Sequence, residues 1–267
     1  MNRPLLKHAW RSNLFRLVVI SLALAGWGSI LPIVYSQFGA LFRDLIDTGI
    51  FPEALTNFGG GDVFSLPGSI ALGFVHPIAI ILLSIFAVGF TTSSFAGERQ
   101  RGTLENLLAR PLSRRQAYVT ILVSVFGFLA IALGAYLSGS VIAAGLFNVL
   151  GEIDTSRLPL VWLNGLLMFG SIASIALAAS VSFDRLAPAL GITLAVLLVS
   201  YFLDILGSLW PDAAFLQPYS LFHYLQTRDI LVGKADPFGF ALLAAVIVIS
   251  VVYALIIFPR RDIAAPS

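Results

Sequence analysis

The sequence predicts an all-α integral membrane protein of six transmembrane helices, and three observations carry that prediction. Of its 267 residues, 58% are hydrophobic and only 11% charged, against about a quarter charged in an ordinary soluble domain, and the mean hydropathy is +0.93. Several apolar runs reach the roughly 20 residues a helix needs to cross about 30 Å of hydrocarbon, and they are too long and continuous for barrel strands. Lys and Arg, finally, gather in alternate connecting segments, the bias that marks the cytoplasmic side. The segments between the runs are short, so residues 1–267 read as a single transmembrane domain. The absence of cysteine excludes a disulfide framework and a thiolate metal site. The pI near 9.1 comes from basic residues flanking the spans and does not point to a nucleic-acid partner.

The chain opens with Arg3, Lys7 and Arg11 at four-residue spacing, beside an apolar stripe of Leu6, Trp10 and Leu14. This pattern predicts an amphipathic helix over Arg3–Arg16 lying along the inner membrane surface; a basic flank that only fixes topology is the competing reading. The first span covers about 17–37. Ala23-Leu-Ala25 imitates a signal-peptide cleavage site, but the apolar run continues to Phe38, which suits a retained span. Residues 38–71 exceed what a connection needs: "ALFRDLIDTG" has helical spacing, Pro52 and Glu53 suit a helix start, and Gly59 to Gly61 an ending. The second span covers about 72–95.

The segment "AGERQRGTLENLLARPLSRR" then gathers five arginines. Glu98 to Gly102 is a polar exit from the second span. Thr103 can cap a short helix with Glu105 in its first turns, where the dipole favours an acid, and Leu104, Leu107 and Leu108 share one side of it. Pro111 ends that helix, because the residue before a proline avoids the helical region. Ser113 and Gln116 match a capping box opening the third span. A topological signal alone requires neither caps, nor a leucine face, nor a proline stop. The organisation points to a docking surface, although anionic headgroups would attract similar chemistry.

The third span covers about 117–147, the fourth 159–181, the fifth 188–206 and the sixth 238–258. A short loop at Asp184-Arg185 joins the fourth and fifth. Residues 207–237 are rich in aromatics that favour a membrane interface, so short helices at the outer leaflet are expected there and in 38–71. Arg3 to Arg16, the five arginines between 99 and 115, Arg185, and Arg260 with Arg261 lie on one side, and most acids on the other. Both termini are therefore expected in the cytoplasm.

"GERQRGTLENLLARPLSRRQAYV" resembles the segment after the second span of ABC-2 type transporter permeases, where an acid, a Gly-Thr-Leu-Glu core, a leucine pair, an Arg-Pro step and a Ser-Arg-Arg run recur in this order. Chain length, "PEALTNFGGGD" and the closing "PRRDI" fit the same family. The resemblance implies the permease half of an ATP-driven exporter, working as a homodimer or related heterodimer in a prokaryotic plasma membrane. Its partners would be the lipid bilayer, a second permease subunit and a separate ATP-binding subunit. Glu98, Arg99, Arg101, Gly102, Thr103, Leu104, Glu105 and Leu108 would form the ATPase-coupling contact within 98–111, and Arg3, Lys7, Trp10 and Arg11 the interfacial helix. No cofactor is implied on this chain; ATP and Mg²⁺ would sit on the partner. No G-x-x-x-x-G-K-[ST] occurs, and Gly59-Gly60-Gly61 lacks the lysine.

Rival readings attach to single residues. Asp204, near the outer end of the fifth span, fits an interfacial or packing role better than the ion relay of a secondary transporter. Ser138-Gly-Ser140 would suit an intramembrane hydrolase, but Gly134, Ser138, Ala173, Ala176 and Ser180 read more simply as packing positions. His8, His76 and His223 have no partner at metal-ligand spacing.

Overall fold

The computed structural model describes residues 2–48, 64–103 and 112–261, and every regular element among them is helical. Helix α1 runs unbroken from Arg3 to Asp47, 45 residues, or about 68 Å at 1.5 Å per residue. The separate interfacial helix expected over Arg3–Arg16 is therefore corrected: that segment is the first part of α1. The reason is the buried stripe Leu5, Ala9, Asn13, Leu17, Ile20, Leu24 and Gly28, whose helical spacing passes through the expected boundary at residue 16 without a break. Glu53 and the glycines at 59–61 lie outside the described residues.

The second membrane element begins at Leu66, earlier than expected, and is broken. Helices α2 (Leu66–Val75) and α3 (Pro77–Ser84) meet at a 48° bend. Pro77 is the cause: it holds His76 in an extended conformation, φ −68° and ψ 139°, as its ring disfavours a helical residue before it. Beyond α3 come two π-helical turns, Ile85–Phe90 and Ser93–Gly97. The hydroxyls of Thr91, Thr92, Ser93 and Ser94 donate to backbone carbonyls within these turns. A three-residue helix α4, Glu98–Gln100, closes the element.

The remaining spans match their expected limits within a few residues: α5 (Arg114–Leu146), α6 (Leu158–Ser182), α7 (Leu186–Leu209) and α9 (Pro237–Arg260). The Ser113–Gln116 capping box forms in full. Among the described residues five helices are long and apolar enough to cross a membrane, and the bent pair makes a sixth when counted as one broken span.

Helices α1 and α5 run side by side in the same direction: Asn2 N donates to Thr120 Oγ1 at 3.0 Å, and Tyr35 Oη to Glu152 Oε2 at the far end. Near the middle their backbones touch. A Cβ on Gly139 would overlap Ala25 O, and one on Gly28 would overlap Tyr136 O. Ser140 Oγ donates to Gly28 O at 3.0 Å and Ser29 Oγ to Gly139 O at 3.1 Å, the close-packed, hydroxyl-linked contact that small residues permit.

The aromatics of 207–237 are only partly at the surface. This segment forms 3₁₀ turns Pro211–Tyr219 and Phe222–Tyr224 and helix α8 (Thr227–Leu231). Trp210, Phe215 and Tyr219 face outward, but Phe222, Ile230 and Leu231 join the main core. Buried Asn164 of α6 draws the segment inward: its Nδ2 donates to Tyr224 O and its Oδ1 accepts from Gln226 N, both at 2.9 Å. The core thus satisfies the backbone that a flat surface helix would have satisfied by itself.

Candidate functional site

At one end of the bundle the π-turn element, the 183–186 connection and the end of α9 come together. The hydroxyl of Ser180 accepts from Phe95 N and Ala96 N and donates to Thr92 O at 2.8 Å, which fixes the second π turn against α6. That anchoring positions α4. Its termination is local: Gly102 has φ +69°, Gly102 N donates to Arg99 O and Thr103 N to Glu98 O, each at 3.0 Å. This is the pair of bonds by which a left-handed glycine closes a helix. Glu98 accepts from Arg101 and from the Thr103 hydroxyl, so the acid is tied to its own segment.

Arg99 points the other way. It is 5% exposed, and its Nη1 donates to Phe183 O and to Asp184 Oδ1, both at 3.0 Å. Among the described residues its Nε and Nη2 are buried without partners. Burial, followed by the nearby Arg261, pulls the guanidinium below its usual pKa, and Asp184 opposes that shift. Gln100 Oε1 accepts from Leu186 N at 2.8 Å, capping α7. Arg261 completes the cluster, with Nη2 at 3.1 and 3.2 Å from the Asp184 carboxylate and Nη1 on Val181 O. Arg114 Nη1 donates to Phe258 O at 3.1 Å and also to Arg261 O. One acid in a three-residue connection thus gathers the ends of four helical elements.

Of the residues expected in the coupling contact, Glu98, Arg99, Arg101, Gly102 and Thr103 are described and adjacent. Leu104, Glu105 and Leu108 lie outside the described residues, with Pro111. Arg99 in this conformation cannot offer its guanidinium to a partner. Gln100, Arg114, Asp184 and Arg261 were missed by sequence reasoning; the one signal was an acid in the short connection between two spans at a strongly basic end. On α1, Arg3, Lys7 and Arg11 are exposed, whereas Trp10 packs on Phe128 with ring centroids 4.9 Å apart and fills the space above Gly127.

Two other regions bear on function. A groove of about 460 Å³ lies between α3 with its first π turn and α7, lined by Pro77, Ile81, Val88, Leu194, Leu198 and Tyr201. At the opposite end from the arginines, Asp204, Ser208, Gln217, His223 and Asp229 line a smaller cavity of about 190 Å³. Because α7 continues to Leu209, Asp204 sits a turn deeper than the sequence placed it.

Ser138 donates to Gly134 O at 2.7 Å and Ser140 to Gly28 O and Tyr136 O; both hydroxyls serve helix backbone. Ala173, Ala176 and Ser180 are buried packing positions, as expected. Among the described residues no three His, Asp or Glu side chains group to hold a metal ion.

A family model described as "ABC-2 family transporter protein" matches residues 9–263. A comparison with curated proteins gives no match.

Proposed function

The chain belongs to the ABC-2 family of transporter proteins, and we propose that it is the transmembrane permease subunit of an ATP-driven exporter, coupled through residues 98–111 to a separate cytoplasmic ATPase. Residues 1–267 form one transmembrane domain of six spans, with the broken element α2–α3 as the second. Both termini and the arginine-rich end face the cytoplasm, in line with the positive-inside bias. ATP and Mg²⁺ are bound by the partner.

The observation that carries this reading is the linkage built on Asp184. Force applied to the 98–111 loop reaches α4, and Arg99 and Gln100 of α4 hold the connection between α6 and α7, which Arg261 joins to the end of α9. A loop grasped by a moving ATPase is thereby joined to the inner ends of three spans. Glu98, Arg101, Gly102 and Thr103, with Leu104, Glu105 and Leu108, supply the docking surface, while Arg99 transmits from behind it. Arg3, Lys7 and Arg11 meet anionic headgroups, and Trp10 anchors their helix to α5.

The apolar groove supports a pathway for cargo with a large apolar part. Helix α7 exposes Leu198 and Phe202 beside it, a surface that a second permease subunit, identical or related, would cover to complete the pathway.

The absence of cysteine from the chain gives a clean test. Thr103→Cys is expected to stay unlabelled by a membrane-impermeant maleimide in intact cells, to label after lysis, and to lose that labelling when the ATP-binding subunit is bound. Labelling in intact cells overturns the topology; undiminished labelling in the complex overturns the docking assignment.

A further inference from the structure

A second cavity, of about 320 Å³, opens between the first turns of α1 and the π-turn element. Its size is at the lower end of the roughly 300–1,000 Å³ typical of ligand pockets. One wall is the α1 face carrying His8, Ser12 and Arg16, spaced four apart so that they stack along the helix. The other carries Ser93, Ser94 and Glu98. Leu5, Phe90 and Ile121 make its apolar part, and Phe15, next to Arg16 in the chain, is exposed on α1.

The polar groups differ in kind across the cavity. Arg16 forms no ion pair among the described residues and presents donors only. Ser93 and Ser94 have spent their hydrogens on Phe90 O, at 3.0 and 2.6 Å, so what they turn to the cavity is lone pairs. Asn13, itself 7% exposed, gives its Nδ2 to Ala9 O at 2.9 Å, and its Oδ1 accepts no bond from the described residues. Ser93, Ser94 and the Glu98 carboxylate, which also holds Arg101, thus make an acceptor wall across the cavity from Arg16, and Asn13 Oδ1 adds an acceptor on the α1 side.

We propose that this cavity binds the headgroup of a phosphatidylethanolamine molecule, with the phosphate on Arg16 and the primary ammonium on the Ser93, Ser94 and Asn13 oxygens. A phosphate takes the charge-assisted donors of an arginine, and three ammonium N–H groups match three acceptors. A choline headgroup has no N–H to give them, and a glycerol headgroup has no charge for Glu98. The apolar lining of Leu5, Phe90 and Ile121 and the exposed Phe15 beside Arg16 favour a lipid over a soluble phosphoethanolamine compound. Placement in the cytoplasmic leaflet rests on the topology proposed above; the binding itself does not.

The purified full-length chain, stripped of lipid, is exchanged against mixed micelles of phosphatidylethanolamine and phosphatidylcholine, and bound lipid is counted by native mass spectrometry. The wild type is expected to retain the ethanolamine lipid over the choline lipid by about tenfold or more. Arg16→Gln and Ser94→Leu should each lower that retention by about fivefold with unchanged elution in size-exclusion chromatography. Arg115→Gln, the same charge change at an exposed position outside the cavity, should leave it unaltered. Equal retention of the two lipids overturns the proposal, as does an Arg16→Gln loss no larger than that of Arg115→Gln. Displacement of the lipid by millimolar free phosphoethanolamine would overturn the lipid assignment in favour of a soluble compound. No ATPase is present in this experiment, so its failure leaves the transport reading standing.

Discussion

Removing Asp184 and removing Arg99 break the same contact, yet they should not cost the same. Asp184→Asn deletes a carboxylate that accepts from Arg99 at 3.0 Å and from Arg261 at 3.1 and 3.2 Å. Hydrogen bonds to charged groups are worth about 1.5–3 kcal/mol each, but the Asp184 side chain is 58% exposed, so water replaces much of what Arg261 loses, leaving about 0–1 kcal/mol there. The Arg99 side chain is 4% exposed and already carries two unpartnered buried nitrogens. Stranding it should cost close to the full bond, so the total is about 2–3 kcal/mol. Arg99→Met instead replaces a buried charge by an apolar side chain of similar length, a change that is often neutral, and should cost less than about 1 kcal/mol. In the double variant the asparagine no longer strands a guanidinium, so the two losses should fall well short of adding. The assay is equilibrium unfolding in mixed micelles for wild type, both single variants and the pair. Additive losses, or an Arg99→Met cost equal to or above that of Asp184→Asn, would refute the argument that the buried guanidinium is the costly partner.

Two further outcomes follow from the packing. Gly28→Val should destabilise by about 2–3 kcal/mol through overlap with Tyr136 O, while Gly26→Ala, with nothing within 4 Å of its added carbon, should be neutral or gain up to about 1 kcal/mol of helix propensity; thermal unfolding of the two compares them directly. Asn164→Leu strands Tyr224 O and Gln226 N inside the core and should cost about 2–4 kcal/mol, seen as faster hydrogen exchange or proteolysis confined to residues 207–237.

What could be read from the sequence was what local chemistry decides. Apolar length sets the spans, and the limits of α5, α6, α7 and α9 were found within a few residues. The Ser113–Gln116 box is a contact between neighbours in the chain and needs no tertiary knowledge. The bend at His76 was half legible: Pro77 was visible, but a proline in a membrane helix can be tolerated without a break. The extent of α1 was not, because the basic residues that suggested a surface helix share its first turns with the stripe from Leu5 to Gly28, and only the α5 surface shows which pattern prevails. In the candidate site Glu98, Arg101, Gly102 and Thr103 were identified as one unit. Arg99 was grouped with them although it turns inward, since its partners Phe183 and Asp184 are 84 and 85 residues away in the chain. Asn164 gave no signal at all: a single amide in an apolar run announces neither its depth nor the loop it holds.

The two π turns between Ile85 and Gly97 have a consequence for anyone engineering this end of the molecule. Each holds about one residue more than an α turn, and one residue advances a helix by about 100°. A wheel drawn from Pro77 with ideal spacing therefore arrives at Glu98 roughly half a revolution out of phase. Substitutions there aimed at an outward face by counting in sevens would strike the inward one.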